Sequence, residues 1–320
     1  MGWLVSEGPG LKPDFRKRFV VGLKPHAHPG EVEGKAQALP PQSSADDEAM
    51  EGLRGITEAR LSLGLGAGAV STREQLRFQM DHALARDAVH AELDVAMLVR
   101  GLGERGLETL ALRSAVTGGR KEYLRRPDLG RRLDPGSAET LDPWKFAVAS
   151  SQVRESGHGA PGFATAEVVF VIADGLSALA VERHVLPLMD AVMAGMDREQ
   201  WKMGPVCVVT QGRVAVGDEI GVLLGAKVVV VLIGERPGLS VADSLGVYLT
   251  WEPRIGRTDA ERNCISNVRL EGLGYVEAAR RILFYMEGAR RSGASGVVLK
   301  EAAGSERALE GGDEGFVGQA

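Results

Sequence analysis

The apolar run VVVVLI at residues 228–233 is the sequence feature that most constrains the fold. β-Branched residues favour an extended strand, and an unbroken apolar run indicates a strand that is buried on both faces. The turn GERPG follows directly, at residues 234–238. Its glycines permit a tight turn and a close approach of a ligand to the backbone. We therefore expect a central strand of a covered sheet, with a ligand near this turn.

Similar β-branched runs recur from residue 167 onward, each followed by a turn and then by helical periodicity. This alternation is the βαβ pattern of a parallel sheet. It predicts an α/β fold with a Rossmann-like, mostly parallel sheet flanked by helices and preceded by a helical N-terminal region. The predicted strands cover residues 168–173, 206–210, 228–233, 246–251 and 296–299, and the predicted helices between them cover 177–194, 218–224 and 276–291.

The helical N-terminal region is clearest at residues 74–90. Leu76, Met80, Ala83 and Leu84 recur there at helical spacing, which predicts an amphipathic helix with one face packed on the core. Composition and periodicity along the chain predict four regions. They are a flexible N-terminal extension at 1–45, a helical region at 46–150, an α/β core at 151–300 and a flexible C-terminal tail at 301–320.

Composition excludes several classes of protein. The net charge is -5, from 38 basic and 43 acidic residues that are interspersed, so a nucleic-acid partner is not expected. Two cysteines, Cys207 and Cys264, are too few for a disulfide framework and predict free thiols. The sequence contains neither a signal-peptide pattern nor an apolar run long enough for a membrane span. We expect a soluble cytoplasmic protein.

Three turns at the ends of predicted strands are candidate ligand contacts: DGLS at 174–177, QGRV at 211–214 and GERPG at 234–238. In an open α/β sheet, ligands bind beyond the carboxyl ends of the strands, where these turns would meet. Each turn contains a glycine. The alternative interpretation is that such glycines only mark the strand-to-helix turns of any fold of this class.

Familiar catalytic motifs are weak or missing in the sequence. The glycines at 64–68 lack dinucleotide-binding spacing, and neither a Walker A sequence nor a G-x-S-x-G elbow occurs. His and Asp side chains at 81–90 share a helix, but a polar helix face explains them better than a metal site. The polar segment 259–267 fits a structural hydrogen-bond network as well as a ligand loop. Two further hypotheses therefore stay open, a stand-alone α/β enzyme with a nucleotide-type cofactor and a structural or recruiting protein.

Several longer sequence segments, in order along residues 54–300, are more specific indicators of a family. They are RFQMDHALARDAVH, EYLRRPDLGRRL, VVFVIADGLSA, QGRVAVGDEIGVLLGAKVVVVLIGERPGL, SLGVYLTWEPR and DAERNCISNVR. In these segments the chain resembles the small (light) subunit of ethanolamine ammonia-lyase, an adenosylcobalamin-dependent enzyme that converts ethanolamine to acetaldehyde and ammonia.

The resemblance implies a hetero-oligomer in which a TIM-barrel large subunit holds the substrate ethanolamine and this chain helps to bind and enclose the cobalamin. Residues 151–300 would be the cobalamin-binding core, and the matched contact positions are Val214, Glu235 and Cys264. No catalytic residue and no protein metal ligand is expected, since the cofactor performs the radical chemistry. The family is also often enclosed in bacterial microcompartments, which is a second expectation for localisation.

Overall fold

A six-stranded mixed sheet forms the centre of the protein. The computed structural model describes residues 72–142, 144 and 166–299. The strands are β1 (Thr109–Arg113), β2 (Val168–Ala173), β3 (Val206–Thr210), β4 (Val228–Gly234), β5 (Leu245–Trp251) and β6 (Asn263–Val268). The helices are α1 (Thr72–His90), α2 (Val95–Gly103), α3 (Gly119–Arg125), α4 (Pro135–Thr140), α5 (Ala178–Gly195), α6 (Val216–Leu224) and α7 (Tyr275–Ser292), with 3-10 turns at Leu129–Arg131 and Asp259–Glu261.

The sheet has the strand order β1-β3-β2-β4-β5-β6. The first four strands in this order pair in parallel, whereas β5 pairs antiparallel with β4 and with β6. Helix α5 connects β2 to β3 on one side, and α6 connects β3 to β4 past β2 on the other. The α/β prediction is thereby confirmed, with an antiparallel pair added at one edge.

Both faces of the sheet are covered, as the unbroken apolar runs predict. On one face, Phe170 and Ile172 of β2 pack in a core cluster with residues of α5 and α7. On the other face, Val169 and Val171 join a second cluster with Ile220 of α6. Successive residues of a strand point to opposite faces, so a strand between two layers must be apolar at every position.

The predicted strands at 168–173 and 206–210 are confirmed with the same bounds, and three predicted helices agree with α5, α6 and α7 within two residues. The predicted strand at 296–299 is wrong, because residues 297–299 are helical. The Asn263 side chain bonds to both backbone groups of Gly296, which leaves neither group for a strand. Two edge strands, β1 and β6, are not predicted. β1 buries only Leu112, and β6 is rich in polar residues.

Helix α1 corrects a further prediction. The helical spacing predicts that Leu76, Met80 and Leu84 pack on the core, but they are 60%, 65% and 51% exposed. Ala83 is half-buried and Ala88 is buried, so this helix touches the rest of the described chain mainly through its smaller residues. The predicted region boundaries at 45, 150 and 300 fall outside the described residues and stay predictions. No helix in the described ranges is long and apolar enough to cross a membrane.

The turn at the end of β4 fits tightly against the turn that follows β2. A Cβ atom added to Gly234 would lie 2.0 Å from the backbone oxygen of Ser177 and 2.6 Å from that of Asp174. The backbone N–H of Leu176 also donates to the oxygen of Gly234, at 2.9 Å. The close approach that this glycine permits is therefore between two segments of the chain itself.

We predict that Gly234→Ala lowers the free energy of unfolding by about 3 kcal/mol, because backbone atoms must move to admit the methyl group. Gly238→Ala, in the same turn, is the matched control. Its added Cβ would lie no closer than 3.4 Å to the oxygen of Val241, and we expect a change within about 1 kcal/mol. Urea unfolding of both variants is the measurement, and equal losses would contradict the prediction.

Candidate functional site

A cleft of about 860 Å³ opens where the carboxyl ends of β2 and β4 meet the first turn of α6. All three predicted strand-end turns contribute to its wall. Leu176 comes from the turn after β2, Val214 from the turn after β3, and Glu235 from the turn after β4. The opposite wall is formed by the segment between β5 and β6, including Ile255 and Arg257.

The crevice between the carboxyl ends of β2 and β3 is filled by side chains of α3. Nη1 of Arg120 donates to Oδ2 of Asp174 and to the backbone oxygen of Gly175, each at 3.0 Å. The hydroxyl of Tyr123 donates to the backbone oxygen of Gly212 at 2.9 Å. Arg120 and Tyr123 are both buried. The position where α/β proteins commonly hold a nucleotide is thus closed by the protein's own side chains.

Asp174 carries the negative charge in this closed crevice. Burial raises its pKa to about 6, while the Arg120 guanidinium and the backbone N–H of Gly212 offset part of that rise. Burial also raises the pKa of Tyr123, so its hydroxyl stays a hydrogen-bond donor. These groups act as structural partners of one another.

A second buried ion pair lies at the base of the cleft. Arg262 donates to both carboxylate oxygens of Asp218, at 2.7 and 2.6 Å, and to the hydroxyl of Thr250 at 2.8 Å. It also donates to the backbone oxygen of Arg257, at 3.0 Å, which holds the β5–β6 segment against α6. Burial strengthens this bidentate pair, and it also makes the pair costly to break.

The Glu235 side chain packs over Gly246 of β5. Its Oε2 accepts a hydrogen bond from the backbone N–H of Asn267 at 3.2 Å. A Cβ atom added to Gly246 would lie 3.2 Å from both Cγ and Oε1 of Glu235. Because Gly246 has no side chain, the Glu235 carboxylate can pack against β5 at this position. Contacts with both β5 and β6 thus fix the side chain that follows β4.

Cys264 lies one strand further from the cleft. It pairs across the β5–β6 ladder with Tyr248, which itself lines the cleft. Its Sγ lies 3.3 Å from Oγ of Ser266. Burial raises the pKa of Tyr248, and Cys264 and Glu235 raise it further, so the Tyr248 hydroxyl stays protonated. The structure thus places Val214 and Glu235 on the cleft wall, with Cys264 behind Tyr248.

The other cysteine, Cys207, has no access to solvent. It lies fully buried on β3, and burial raises the pKa of its thiol to about 12. Both cysteines are free, as predicted. A thiol that stays protonated and buried is a packing group, so any role for a cysteine at the site falls to Cys264.

The polar segment at 259–267 divides into two parts. Thr258 and Glu261 form a capping box around the 3-10 turn, and Arg262 and Asn263 are buried with hydrogen-bond partners. Their side chains form a structural network. Cys264 is partly exposed, and the backbone N–H of Asn267 bonds to Glu235, so the end of the segment belongs to the site.

Sequence reasoning missed the contribution of arginines and of Tyr248 to the cleft. Six arginines line it: Arg131, Arg132, Arg213, Arg236, Arg257 and Arg262. The segment LGRR at residues 129–132 contains two adjacent arginines, which could have indicated an anion-binding surface. Nothing in the segment shows which strand ends it approaches. In the ranges that the structure describes, no three His, Cys, Asp or Glu side chains cluster in a way that could hold a metal ion.

We predict that Asp218→Asn lowers the free energy of unfolding by about 3–5 kcal/mol, because it leaves the Arg262 charge buried without a counter-ion. Asp259→Asn is the control, since Asp259 is 98% exposed and lies 3.7 Å from Arg262. We expect a change within about 1 kcal/mol for that exposed position. Chemical denaturation followed by circular dichroism measures both. Similar midpoints for the two variants would show that the buried pair contributes little.

Comparison with known proteins gives a consistent result. The model of the family described as ethanolamine ammonia-lyase light chain (EutC) matches residues 47–300. The chain is 50% identical over 262 residues to the ethanolamine ammonia-lyase small subunit of Azotobacter vinelandii (strain DJ), covering 82% of this chain and 92% of that protein.

Two proteins of the same name from Pseudomonas are equally similar. That of P. fluorescens (strain Pf0-1) is 53% identical over 251 residues, covering 78% of this chain and 86% of the relative. That of P. aeruginosa (strain UCBPP-PA14) is 51% identical over 271 residues, covering 85% and 93%. The resemblance seen in the sequence is confirmed. The chain belongs to the ethanolamine ammonia-lyase small (light) subunit family.

Proposed function

We propose that this chain assembles with a large subunit into an adenosylcobalamin-dependent ethanolamine ammonia-lyase, and that its cleft binds one part of the cofactor. The observation that carries the proposal is the convergence of Val214 and Glu235 on one cleft, with Cys264 beside it across the Tyr248 pair. These are the three positions that the family resemblance assigns to cobalamin contact. They come from three separate stretches of sequence.

The residues of the cleft fit the cofactor in kind. Val214, Leu176 and Ile233 offer apolar surface for a corrin edge. The Glu235 carboxylate accepts hydrogen bonds, and the amide side chains around a corrin donate them. The hydroxyl of Tyr248, kept protonated, supplies a donor on the same wall. A volume of about 860 Å³ suits part of a large cofactor better than the whole of it.

When bound, adenosylcobalamin supplies the radical chemistry through homolysis of its cobalt–carbon bond. The residues of this chain bind, orient and shield. The Glu235 carboxylate already accepts the backbone N–H of Asn267, which fixes the direction in which it meets a ligand. The buried Asp218–Arg262 pair keeps the β5–β6 segment from swinging away from α6. We assign no catalytic acid or base to this chain.

The cleft is open, and one exposed apolar side chain at its rim favours a partner. Ile255, on the β5–β6 wall, is 74% exposed. The apolar residues of α1 are also exposed. Exposed apolar surface of this kind commonly marks an interaction site. We infer that the large subunit closes the cleft and supplies the ethanolamine site, so that the cofactor lies between the two chains.

The proposal places the complex in the cytoplasm, where two unpaired cysteines stay reduced, either free or within a bacterial microcompartment. Of the other hypotheses, a stand-alone nucleotide enzyme is disfavoured, because Arg120 and Tyr123 close the crevice that a nucleotide would use. A recruiting role would rest on residues 1–45 and 301–320, which lie outside the described ranges.

Reconstitution tests the proposal. The chain, co-expressed and purified with its cognate large subunit, should retain a cobalamin absorption spectrum after gel filtration. With adenosylcobalamin and ethanolamine, the complex should form acetaldehyde, which alcohol dehydrogenase and NADH report. The small subunit alone should form none. An assembled complex that neither binds cobalamin nor forms acetaldehyde would refute the proposal.

We predict that Glu235→Ala weakens the affinity of the complex for cyanocobalamin by roughly tenfold, the effect of losing one hydrogen bond to a charged group. The matched control is Glu199→Ala, an exposed acid outside the cleft, which should bind as the wild type does. Affinity is measured by equilibrium dialysis, and thermal unfolding checks that both variants fold. If both variants bind alike, Glu235 does not contact the cofactor.

A further inference from the structure

The arginines of the cleft are only partly neutralised. Arg262 pairs with Asp218, and Arg257 pairs with Glu261. The other four, which form no ion pair with any residue in the described ranges, are Arg131, Arg132, Arg213 and Arg236.

The carboxylates of the cleft have partners other than these four arginines. Asp218 is committed to Arg262, and Oε2 of Glu219 accepts the backbone N–H of Leu133 at 2.8 Å. Glu235 accepts the backbone N–H of Asn267. The six arginines of the cleft thus face four carboxylates, the fourth being Asp259. The cleft carries an excess of positive charge, which favours an anionic group on whatever binds there.

Arg213 is the most firmly held of the unpaired arginines. Its backbone N–H donates to the oxygen of Gly130 at 2.7 Å, and a Cβ atom added to Gly130 would lie 3.0 Å from its Cγ. Its guanidinium carbon lies 4.4 Å from the centre of the Tyr123 ring. Its Nε is buried and has no hydrogen-bond partner. A guanidinium held on an aromatic ring, with donors to spare, is pre-organised for a planar or tetrahedral oxyanion.

Arg131 and Arg132 belong to the same wall. They follow Gly130 directly, and Gly130 contacts both the backbone and the side chain of Arg213. Three unpaired arginines therefore gather around one short segment. Arg213 also immediately precedes Val214, so their Cα atoms lie about 3.8 Å apart. Both residues line the cleft, so an anion bound at Arg213 would share the cleft with a group in contact with Val214.

We propose that Arg213, supported by Arg131 and Arg132, binds the phosphodiester of the cobalamin nucleotide loop. This inference rests on the proposed function. The nucleotide loop joins the corrin to its lower base through one phosphodiester, which is the anionic group among the otherwise uncharged side chains of the corrin. Arginine is well suited to phosphate because its fork of N–H donors matches the phosphate oxygens. Arg236, on the turn beyond Glu235, is not part of this subsite.

Two corrinoids that differ in one group isolate the phosphate. Cobinamide lacks the nucleotide loop, and cobinamide phosphate adds only the phosphate to it. In the complex with the large subunit, cobinamide phosphate should bind on the order of tenfold more tightly than cobinamide. This advantage should shrink as ionic strength rises. Equilibrium dialysis of the cyano forms, followed by absorbance, gives both affinities without any turnover.

Arg213→Gln should abolish most of the tenfold advantage while leaving the affinity for cobinamide unchanged. Arg213→Lys should keep part of it, since the charge remains. The double variant R131Q/R132Q changes two exposed side chains and leaves Arg213 intact. It should also reduce the advantage, and it therefore tests the subsite independently if Arg213→Gln fails to fold. Arg198→Gln, at an exposed arginine outside the cleft, is the charge-matched control and should keep the full advantage.

The outcomes separate this inference from the proposed function. Equal affinity of the wild type for the two corrinoids would overturn the phosphate subsite and leave cobalamin binding intact. Equal weakening of both corrinoids by Arg213→Gln would assign Arg213 to shaping the cleft, which also overturns it. A complex that binds no corrinoid at all would overturn both. Loss of the phosphate advantage alone, in Arg213→Gln and in the double variant, would support it.

Discussion

The ion pair between Arg120 and Asp174 is the contact on which the site depends. It joins α3 to the end of β2, across 54 residues of sequence, and closes the crevice between β2 and β3. Asp174 also accepts the backbone N–H of Gly212, at 3.1 Å, so the same carboxylate ties the ends of β2 and β3 together. Neither charge could be buried without the other, because an unpaired buried charge costs several kcal/mol. With the usual ligand crevice filled, the open space moves to the side where β4 meets α6.

The antiparallel edge of the sheet then supplies the other half of the site. In a purely parallel sheet, the chain would have to cross back to the amino ends of the strands before the strand after β4 could begin. Here β5 returns beside β4, and β6 follows, so Tyr248 and Cys264 lie on strands next to Glu235. Gly246 makes room for the carboxylate, and Arg262 fixes the returning segment to Asp218 on α6. A change of strand direction at one position thus produces a wall that no βαβ unit could provide.

Much of this arrangement follows from the sequence, and the rest does not for physical reasons. The strands at 168–173 and 206–210 are predictable because burial on both faces requires apolar residues throughout. Carboxyl ends of parallel strands share one edge, so the sequence predicts that the turns carrying Val214 and Glu235 converge. The edge strand β6 carries no such signal, because some of its residues, such as Ser266 and Asn267, are exposed and can be polar. The contact of Tyr123 with Gly212 spans 89 residues, and no local pattern encodes it. The exposed face of α1 carries the same apolar spacing as a packed helix, so spacing alone could not show that this face is exposed.

The electrostatics of the cleft are those of a surface that binds and orients a ligand. Its buried charges, at Asp174 and Asp218, are each committed to an arginine and serve the fold. Within the cleft, the charges that form no ion pair in the described ranges include those of Arg131, Arg132, Arg213 and Arg236, and the exposed apolar surface includes Ile255 at its rim. Guanidinium groups do not lose their protons in proteins, so they bind anions but do not shuttle protons. A surface built from fixed positive charge and apolar side chains can therefore hold and orient an anionic ligand, and in the proposed complex the acid–base and radical steps fall to the cofactor and the large subunit.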